Sequence, residues 1–194
     1  MIQLKGIAAA SGISIGPVYK LGKEEFIVAS NAITWEEIPL QIQLFEEALI
    51  KTRREIIELQ KRISSDMGQE EAQIFDAHLL VLEDRMLIEE GISRLKKEQV
   101  NVAYIFSEVL KKYISVFSKI EDEYLKERIA DINDVGKRIL RNLLGKEKKN
   151  LADLKERAII VAHDLSPSDT AAFYKENVAA FVTDIGGKTS HTAI

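Results

Sequence analysis

The residues best suited to chemistry lie in the stretch GGKTSHTAI at 186–194. The glycine pair ending at Gly187 permits a sharp turn in which backbone N–H groups can approach a ligand closely. If a helix begins near Thr189 or Ser190, those N–H groups lie at the positive end of its dipole, which attracts phosphate. Lys188 adds a mobile positive charge, and the two hydroxyls can cap the helix or donate to phosphate oxygens. The stretch therefore predicts an anion site.

His191 would lie in the first turn of that helix and face the same anion site. A neutral imidazole there is a good nucleophile toward phosphorus and can form a phosphohistidine. The alternative is a glycine turn with a polar cap and an incidental surface histidine. The local pattern leaves these two interpretations open.

A nucleotide-binding loop is a third interpretation, because Gly187, Lys188 and Thr189 match the end of a Walker A motif. That motif also requires a glycine five positions before Gly187, and the chain has Val182 there. The sequence therefore argues against a nucleotide-binding loop.

Composition limits the class of protein. The chain has 194 residues, a net charge of −4 and no cysteine, which excludes disulfide and thiol chemistry. It lacks the basic surplus that nucleic-acid binding needs. It also lacks both a signal peptide and a run of about 20 apolar residues. These features predict a soluble cytoplasmic protein that binds neither nucleic acid nor membrane.

Short segments near both ends of the chain carry strand patterns. Ile13, Ile15 and Val18 suggest one or two strands within the glycine-punctuated N-terminus. Near the other end, RAIIVA (157–162) and VAAFVTD (178–184) indicate strands joined by a short helix capped by Ser166 or Ser168. That β-α-β unit should be parallel and right-handed. Because two parallel strands alone are not viable, the N-terminal strands are expected to complete the sheet.

Between these segments, from about Thr34 to Leu144, the pattern is helical. Thr34 and Glu37 form a capping-box signature, although Pro39 can instead mark the first helical turn. The first helix is expected to break at SSDMG (64–68), with further helices near 69–82 and 84–97. The next should be capped by Asn101, and the last should run near 122–143 and end at Gly145. Three of these helices carry a predicted apolar stripe. On the first helix it consists of Ile38, Ile42, Phe45, Leu49, Ile56, Leu59 and Ile63, and on the fourth of Ala103, Phe106, Leu110, Tyr113, Phe117 and Ile120. On the last helix it consists of Leu125, Ile129, Ile132, Gly136, Ile139 and Leu143.

Several helices with short connections predict an antiparallel bundle inserted between two parts of an α/β domain. The segment GGKTSHTAI resembles the active-site histidine segment of Enzyme I of the phosphoenolpyruvate:sugar phosphotransferase system. The motif is also similar to the swivelling histidine domains of pyruvate phosphate dikinase and phosphoenolpyruvate synthase, which have no such helical insertion. The other segments that resemble Enzyme I extend the likeness over essentially the whole chain: LKGIAAASGISIGPV (4–18), GQEEAQIFDAHLLVLED (68–84), DEYLKERIADINDVGKRILRNLLG (122–145) and DLSPSDTA (164–171).

The resemblance implies a fold: a truncated α/β phosphohistidine domain with an inserted antiparallel helical bundle that docks the carrier protein HPr. The implied divisions are 1–30 and 147–194 for the α/β domain and 31–146 for the bundle. The family pattern continues beyond Ile194 into a barrel that binds phosphoenolpyruvate and Mg²⁺ and forms a homodimer. The resemblance thus implies no cofactor within this chain, a monomer, and no autophosphorylation without the barrel.

The resemblance also implies a function, the first step of the sugar phosphotransferase system. His191 would take the phosphoryl group from phosphoenolpyruvate through Nε2 and pass it to a histidine of HPr. Thr170 would hydrogen-bond the imidazole, and Lys188 would stabilise charge with the turn N–H groups around Gly187, Thr189 and Ser190. The alternatives are a catalytically inactive module that only binds HPr, and a swivelling domain of a dikinase-like enzyme.

HPr generally presents basic residues around its histidine, so an acidic face with an apolar centre is the expected complement. For each single charge, a solvated helix face is the alternative. Gln69, Arg85 and Met86 stand where family members often carry acids or, in one case, vary freely, which reduces the local negative potential. An interface role is preferred for His78, whereas His163 is expected to be structural or incidental. The candidate HPr-binding residues are Glu70, Glu71, Ile74, Asp76, His78, Leu79, Asp84, Phe117 and Arg128.

Overall fold

A computed structural model describes residues 3–22, 26–119, 123–146, 156–170, 173 and 177–186. The chain divides into two compact units. One unit consists of Met1–Glu25 with Lys149–Ile194, and the other of Phe26–Lys148. The limits of the second unit lie a few residues from the expected divisions at 31 and 146.

The first unit contains a three-stranded parallel sheet in the order β1-β2-β3. The strands are β1 (Val18–Leu21), β2 (Ala158–Ala162) and β3 (Val178–Thr183). Val18 lies opposite Ile159, and Ile160 lies opposite Phe181. The sheet confirms the parallel β-α-β unit and its completion by an N-terminal strand.

The strand character expected at Ile13 and Ile15 is wrong. Both side chains are about as exposed as in an extended chain, and β1 begins only after Pro17. Gly12, at φ +134°, adopts a conformation that side chains other than glycine rarely take. Pro17 has no N–H, so regular pairing starts at the residue that follows it, and the Pro17 carbonyl accepts the first bond from Ile159.

The core of the sheet unit forms around β2, the central strand. Ala158, Ile160 and Ala162 are buried on one face, and Leu165 and Phe173 pack with them. The Phe173 ring meets the Phe181 ring of β3 edge to face, with centroids 5.6 Å apart. A parallel strand that is covered on both faces is apolar along its length, and AIIVA is buried on one face and half-buried on the other.

The second unit is helical, and a 3₁₀ turn at Trp35–Glu37 precedes its first helix. The helices are α1 (Ile38–Asp66), α2 (Gln69–Ala72), α3 (Ile74–Leu82), α4 (Arg85–Glu98), α5 (Val102–Phe117) and α6 (Glu123–Leu143). The short α7 (Pro167–Thr170) belongs to the sheet unit. None of the helices in the described part of the chain combines the length and apolar character that a membrane span requires.

Both predicted start signals of α1 are used, one after the other. The Glu37 carboxylate accepts a 2.7 Å hydrogen bond from the Thr34 N–H, which is the backward half of a capping box. The 3₁₀ turn then leads into α1, and Pro39 occupies its first turn. Asn101 does precede α5, but its side chain accepts from the Asn31 N–H, and Gln41 caps the Val102 N–H instead.

The helix break predicted at 64–68 is confirmed, and one predicted helix is divided. α1 ends at Asp66, and Gly68, at φ +126°, supplies the stop. The helix predicted as one piece over 69–82 is two, α2 and α3, separated at Gln73. The expected end of α6 is confirmed, since Gly145 follows it at φ +60°.

The buried apolar stripes of α1, α5 and α6 form the core of the helical unit. The Phe45 and Phe106 rings are fully buried, with centroids 5.3 Å apart. Gly136 allows α6 to approach α5 closely, because a Cβ at this position would lie 2.5 Å from the methyl carbons of Leu110. Of the stripe residues predicted above, Ile120 and the side chain of Leu125 lie outside the described residues.

Helices α1 and α6 run antiparallel. Asn142 donates to the Thr52 hydroxyl at 2.9 Å, and Arg138 donates to the Glu55 carboxylate at 3.1 Å. The residue number rises along α1 as it falls along α6, which is the order that antiparallel neighbours require. This pair confirms the antiparallel packing expected of a bundle with short connections.

Candidate functional site

The carboxyl ends of β2 and β3 bring two predicted functional segments together. Because the strands are parallel, the chain leaves both at the same edge of the sheet, where ligands bind in open α/β sheets. Beyond the strands, the Ile185 N–H donates to the His163 carbonyl at 3.0 Å, and Asp184 donates to Ala162 at 3.3 Å. The segment leading into GGKTSH therefore lies beside the segment leading into SPSDT.

The SPSDT segment is held by a reciprocal cap. The Ser166 N–H and hydroxyl both donate to the Asp169 carboxylate, at 3.1 and 2.9 Å, and the Asp169 N–H donates back to the Ser166 hydroxyl at 3.1 Å. Ser166 is therefore the cap of α7, and Ser168 lies buried within the helix. This cap fixes the position of Thr170, the last residue of α7.

Thr170 is the one predicted catalytic residue that the structure describes. Its side chain is half-buried, and its hydroxyl donates a long hydrogen bond of 3.4 Å to the Ser166 carbonyl. A threonine that donates backward in this way presents its oxygen lone pairs as acceptors. The other predicted catalytic residues lie outside the described residues: Gly187, Lys188, Thr189, Ser190 and His191.

Gly186, the first residue of GGKTSHTAI, is the last residue that the structure describes, and its φ is +121°. Only glycine adopts such a conformation readily, which fits the predicted glycine turn. Nearby, His163 Nδ1 lies 3.1 Å from the Asp184 carboxylate, and both side chains are well exposed. An exposed pair of this kind contributes little stability and joins the ends of the two strands locally.

Seven of the nine predicted docking residues lie on α2, on α3 and at the start of α4, and the other two, Phe117 and Arg128, belong to α5 and α6. Glu70 and Glu71 are exposed, and neither forms an ion pair or a side-chain hydrogen bond with any described residue. Asp76 is also exposed but accepts a 2.7 Å hydrogen bond from Gln60. Ile74 and Leu79 are half-buried. The surface thus combines exposed carboxylates with partly exposed apolar groups.

Asp84 has a structural role at this surface. Its carboxylate caps α4 by accepting from Met86 N–H at 2.9 Å and Leu87 N–H at 3.2 Å. Burial, and then the charges of Asp84 and Glu90, raise the pKa of the Tyr113 phenol.

Tyr113 in turn packs against Phe117, with ring centroids 6.1 Å apart. Leu80 and Met86 are strongly exposed apolar side chains on α3 and α4 that the sequence analysis did not select as contacts. The side chain of Arg128 lies outside the described residues.

The structure corrects the preference for an interface role at His78. Its ring has no exposed surface, so in this conformation it cannot contact a partner directly. Nε2 lies 3.1 Å from an Asp131 oxygen, Nδ1 lies 3.9 Å from an Asp134 oxygen, and the Phe75 ring packs edge-on at 5.4 Å. His78 therefore links α3, which carries several of the predicted docking residues, to α6.

Asp131 and Asp134 were missed by the sequence analysis. Asp131 lies four residues before Val135 and eight before Ile139, both fully buried, so it belongs to the buried stripe of α6. A carboxylate on a buried stripe needs a partner, and that requirement could have indicated a buried histidine or arginine. Within the described ranges, no group of three or more histidine and acidic residues is arranged to hold a metal ion.

Two known families match successive parts of the chain. Residues 5–128 match the family described as PEP-utilising enzyme, N-terminal. Residues 154–194 match the family described as PEP-utilising enzyme, mobile domain. The chain therefore belongs to the PEP-utilising enzymes, and within them it corresponds to the N-terminal region of Enzyme I, the phosphoenolpyruvate-protein phosphotransferase.

The curated relatives that carry this name come from several bacteria. The chain is 41% identical over 192 residues to the phosphoenolpyruvate-protein phosphotransferase of Staphylococcus carnosus, a match that covers 99% of this chain and 33% of the relative. It is 40% identical over 194 residues to that of Bacillus subtilis, covering 100% of this chain and 34% of the relative. The chain thus spans about a third of the length of the curated relatives it matches.

Solved structures show the same architecture. An NMR structure of Enzyme I (nEIt) matches with a TM-score of 0.78 and 42% identity, covering 98% of this chain and 77% of that one. The N-terminal domain of Enzyme 1 - Nitrogen matches with a TM-score of 0.64 and 24% identity, covering 96% of this chain and 76% of that one, and indicates the fold alone. A helical bundle with a small parallel sheet is therefore the architecture of the Enzyme I N-terminal domain.

Proposed function

We propose that this chain carries the phosphoryl group of an Enzyme I on His191 and docks the carrier HPr through its helical unit. The observation that carries this proposal is the mobile-domain match over residues 154–194, which include both Thr170 and His191. The neighbouring position of the SPSDT segment and the segment leading into GGKTSH supports it. In this proposal the 1–30 and 147–194 segments form the phosphohistidine domain, and 31–146 forms the docking module.

Thr170 would orient the imidazole of His191. Because the Thr170 hydroxyl donates to the Ser166 carbonyl, its oxygen can accept a hydrogen bond from imidazole Nδ1–H. That bond fixes the tautomer with its lone pair on Nε2, the nitrogen expected to attack. Thr170 is a positioning residue in this scheme, and the reciprocal cap between Ser166 and Asp169 holds it in place.

The proposed transfer balances without a redox change. In the full-length enzyme, an Nε2–P bond would form as the P–O bond of phosphoenolpyruvate breaks, and the enolate would take a proton to give pyruvate. The Nε2–P bond would then break as a histidine nitrogen of HPr attacks phosphorus. Lys188, with the N–H groups around Gly187, Thr189 and Ser190, would stabilise the charge on the phosphoryl oxygens. The Mg²⁺ and phosphoenolpyruvate implied for the full-length enzyme would be held outside this chain, and the exchange with HPr uses neither.

The proposed docking surface consists of Glu70, Glu71, Ile74, Asp76, Leu79, Asp84, Phe117 and Arg128. Glu70 and Glu71 carry most of its electrostatic attraction, since they have no ion pair with a described residue, whereas Asp84 is engaged as a helix cap. Ile74 and Leu79 supply apolar area beside these charges. His78 acts behind the surface by holding α3 against α6.

The transfer is tested by incubating the chain with HPr that carries a ³²P-labelled phosphohistidine. We expect label on the chain, none on His191→Ala, and transfer about 10- to 100-fold slower for Thr170→Val, which removes the orienting oxygen. Thr170→Ser, which retains the hydroxyl, is the matched control and should transfer at nearly the original rate. Label that persists in His191→Ala would exclude His191 as the acceptor. Carrier binding without any label transfer would instead favour a module that only docks.

Docking is tested by reversing the charge of Glu70 and Glu71. Each of Glu70→Lys and Glu71→Lys is expected to weaken HPr binding about tenfold, with less dependence on salt, because a basic partner would meet a like charge. Isothermal titration calorimetry measures the affinity. Glu46→Lys makes the same change of charge at an exposed position on the N-terminal half of α1 and should leave the affinity within about twofold. Equal losses from all three variants would show that only net charge matters and would contradict this docking surface.

A further inference from the structure

The helical unit contains a cavity of about 360 Å³ between the middle of α1 and the C-terminal half of α6. Its volume is at the lower end of the range for small-molecule sites, about 300–1,000 Å³. It is bordered by polar and charged side chains, which fits an ion better than an apolar ligand. The side chains that matter to its chemistry are Lys51, Glu55, Arg138, Arg141, Asn142 and Lys146.

Positive charge dominates the lining. Four of these residues are cationic, and Glu55, which pairs with Arg138 at 3.1 Å, is the one carboxylate among the described lining residues. Lys51 forms no ion pair with any residue in the described ranges. Lys146 lies over the face of Phe26, at 5.4 Å from the ring centroid, and likewise has no carboxylate partner among the residues described.

Burial strengthens the attraction of this cavity for anions. The Arg138 side chain is 8% exposed, and among the described residues it donates one hydrogen bond, to Glu55. Arg141 is also buried and has contacts of its own. Attraction between opposite charges is several-fold stronger at a partly buried site than in bulk water.

Part of the positive charge around the cavity stabilises the C-terminal end of α6. Basic residues near the C-terminus of a helix stabilise its dipole, and the cavity lies at the end of α6. That dipole corresponds to about half a negative charge. Without Arg141, the described lining still has three cations, Lys51, Arg138 and Lys146, against the carboxylate of Glu55, so the dipole offsets only part of the surplus.

We propose that this cavity binds a small multiply charged anion of the phosphate class, held by Lys51, Arg138 and Lys146 with Arg141 as a nearby charge. Asn142 borders the same space and is already oriented by its hydrogen bond to Thr52. All of these residues belong to the helical unit. The site therefore does not depend on the phosphohistidine proposed for the other unit.

Inorganic phosphate is the probe for this site. The ¹⁵N-labelled chain is titrated with sodium phosphate, and a parallel sample receives sodium chloride at matched ionic strength. We expect saturable shifts of the amide resonances of Lys51, Glu55, Arg138 and Asn142 with phosphate alone. Shifts that never saturate, or that chloride reproduces, would show general screening of charge and overturn the proposal.

Paired variants test whether the cavity lysines bind the anion. Lys51→Gln/Lys146→Gln removes two exposed lining charges and is expected to weaken phosphate binding at least tenfold. The control Lys111→Gln/Lys112→Gln removes the same charge from exposed positions on α5 and should leave the affinity within about twofold. An unchanged affinity in the cavity variant would overturn the assignment. Because all four lysines are at the surface, both proteins should fold, and circular dichroism checks this.

Discussion

Phe106→Ala is expected to lower the free energy of unfolding of the helical unit by about 3–5 kcal/mol. The Phe106 ring is fully buried and packs on Phe45, so its removal loses both transfer energy and the contacts lining the resulting cavity. Ile105 and Val109 on the same helix are fully buried as well, which limits how far the site can collapse. A typical domain has only about 5–15 kcal/mol of stability, so this is a large fraction. Urea unfolding followed by circular dichroism measures the loss.

Val116→Ala is the control for this prediction. Val116 lies on the same helix but is 53% exposed, so its truncation should change stability by less than about 0.5 kcal/mol. The double variant Phe45→Ala/Phe106→Ala should lose less than the sum of the two single losses, because the rings contact each other. Similar small losses from Phe106→Ala and Val116→Ala would contradict the packing described for this core.

His78→Ala is expected to destabilise the helical unit by about 3 kcal/mol, a value typical of leaving a buried polar group without its hydrogen-bond partner. The substitution leaves the Asp131 carboxylate, itself buried, without the imidazole that lies 3.1 Å away. It also removes the ring against which Phe75 packs. Chemical denaturation of the single and double variants measures the effect.

A double-mutant cycle separates the pair from the loss of packing. Asp131→Asn should cost less than His78→Ala because it preserves the shape of the side chain, and the double variant should be more stable than the sum of the two losses predicts. Fully additive losses would mean that His78 and Asp131 contribute independently. If His78 holds α3 in place, His78→Ala should also weaken HPr binding, whereas Val116→Ala should not.

Signals in the sequence located most of the elements because those signals act locally. The Thr34–Glu37 box starts the first helix, Ser166 and Asp169 cap α7, and Gly145 ends α6, each through bonds within a few residues. Strand patterns located β2 and β3 for the same reason. The errors arose where the local signal was weak, as at Gln73, or where glycine and proline interrupt the strand pattern, as around Ile13 and Ile15.

The function of individual polar residues was less predictable. The acidic helix face containing His78 suggested an accessible ring, yet the ring is buried because Asp131, 53 residues away, lies opposite it. Nothing local in the sequence of α3 specifies that partner. Asp84, selected as a docking charge, is a helix cap, and only the positions of the Met86 and Leu87 N–H groups revealed this.

By itself, the sequence determined the order of most helices and strands and the family, because these depend on periodicity, capping and motifs along the chain. The tertiary structure alone decided that His78 is buried against Asp131, and that Lys51 and Glu55 of α1 meet Arg138 and Lys146 around one cavity. Those features join residues more than 50 positions apart. Packing between helices sets such distances, and periodicity along a single helix carries no information about them.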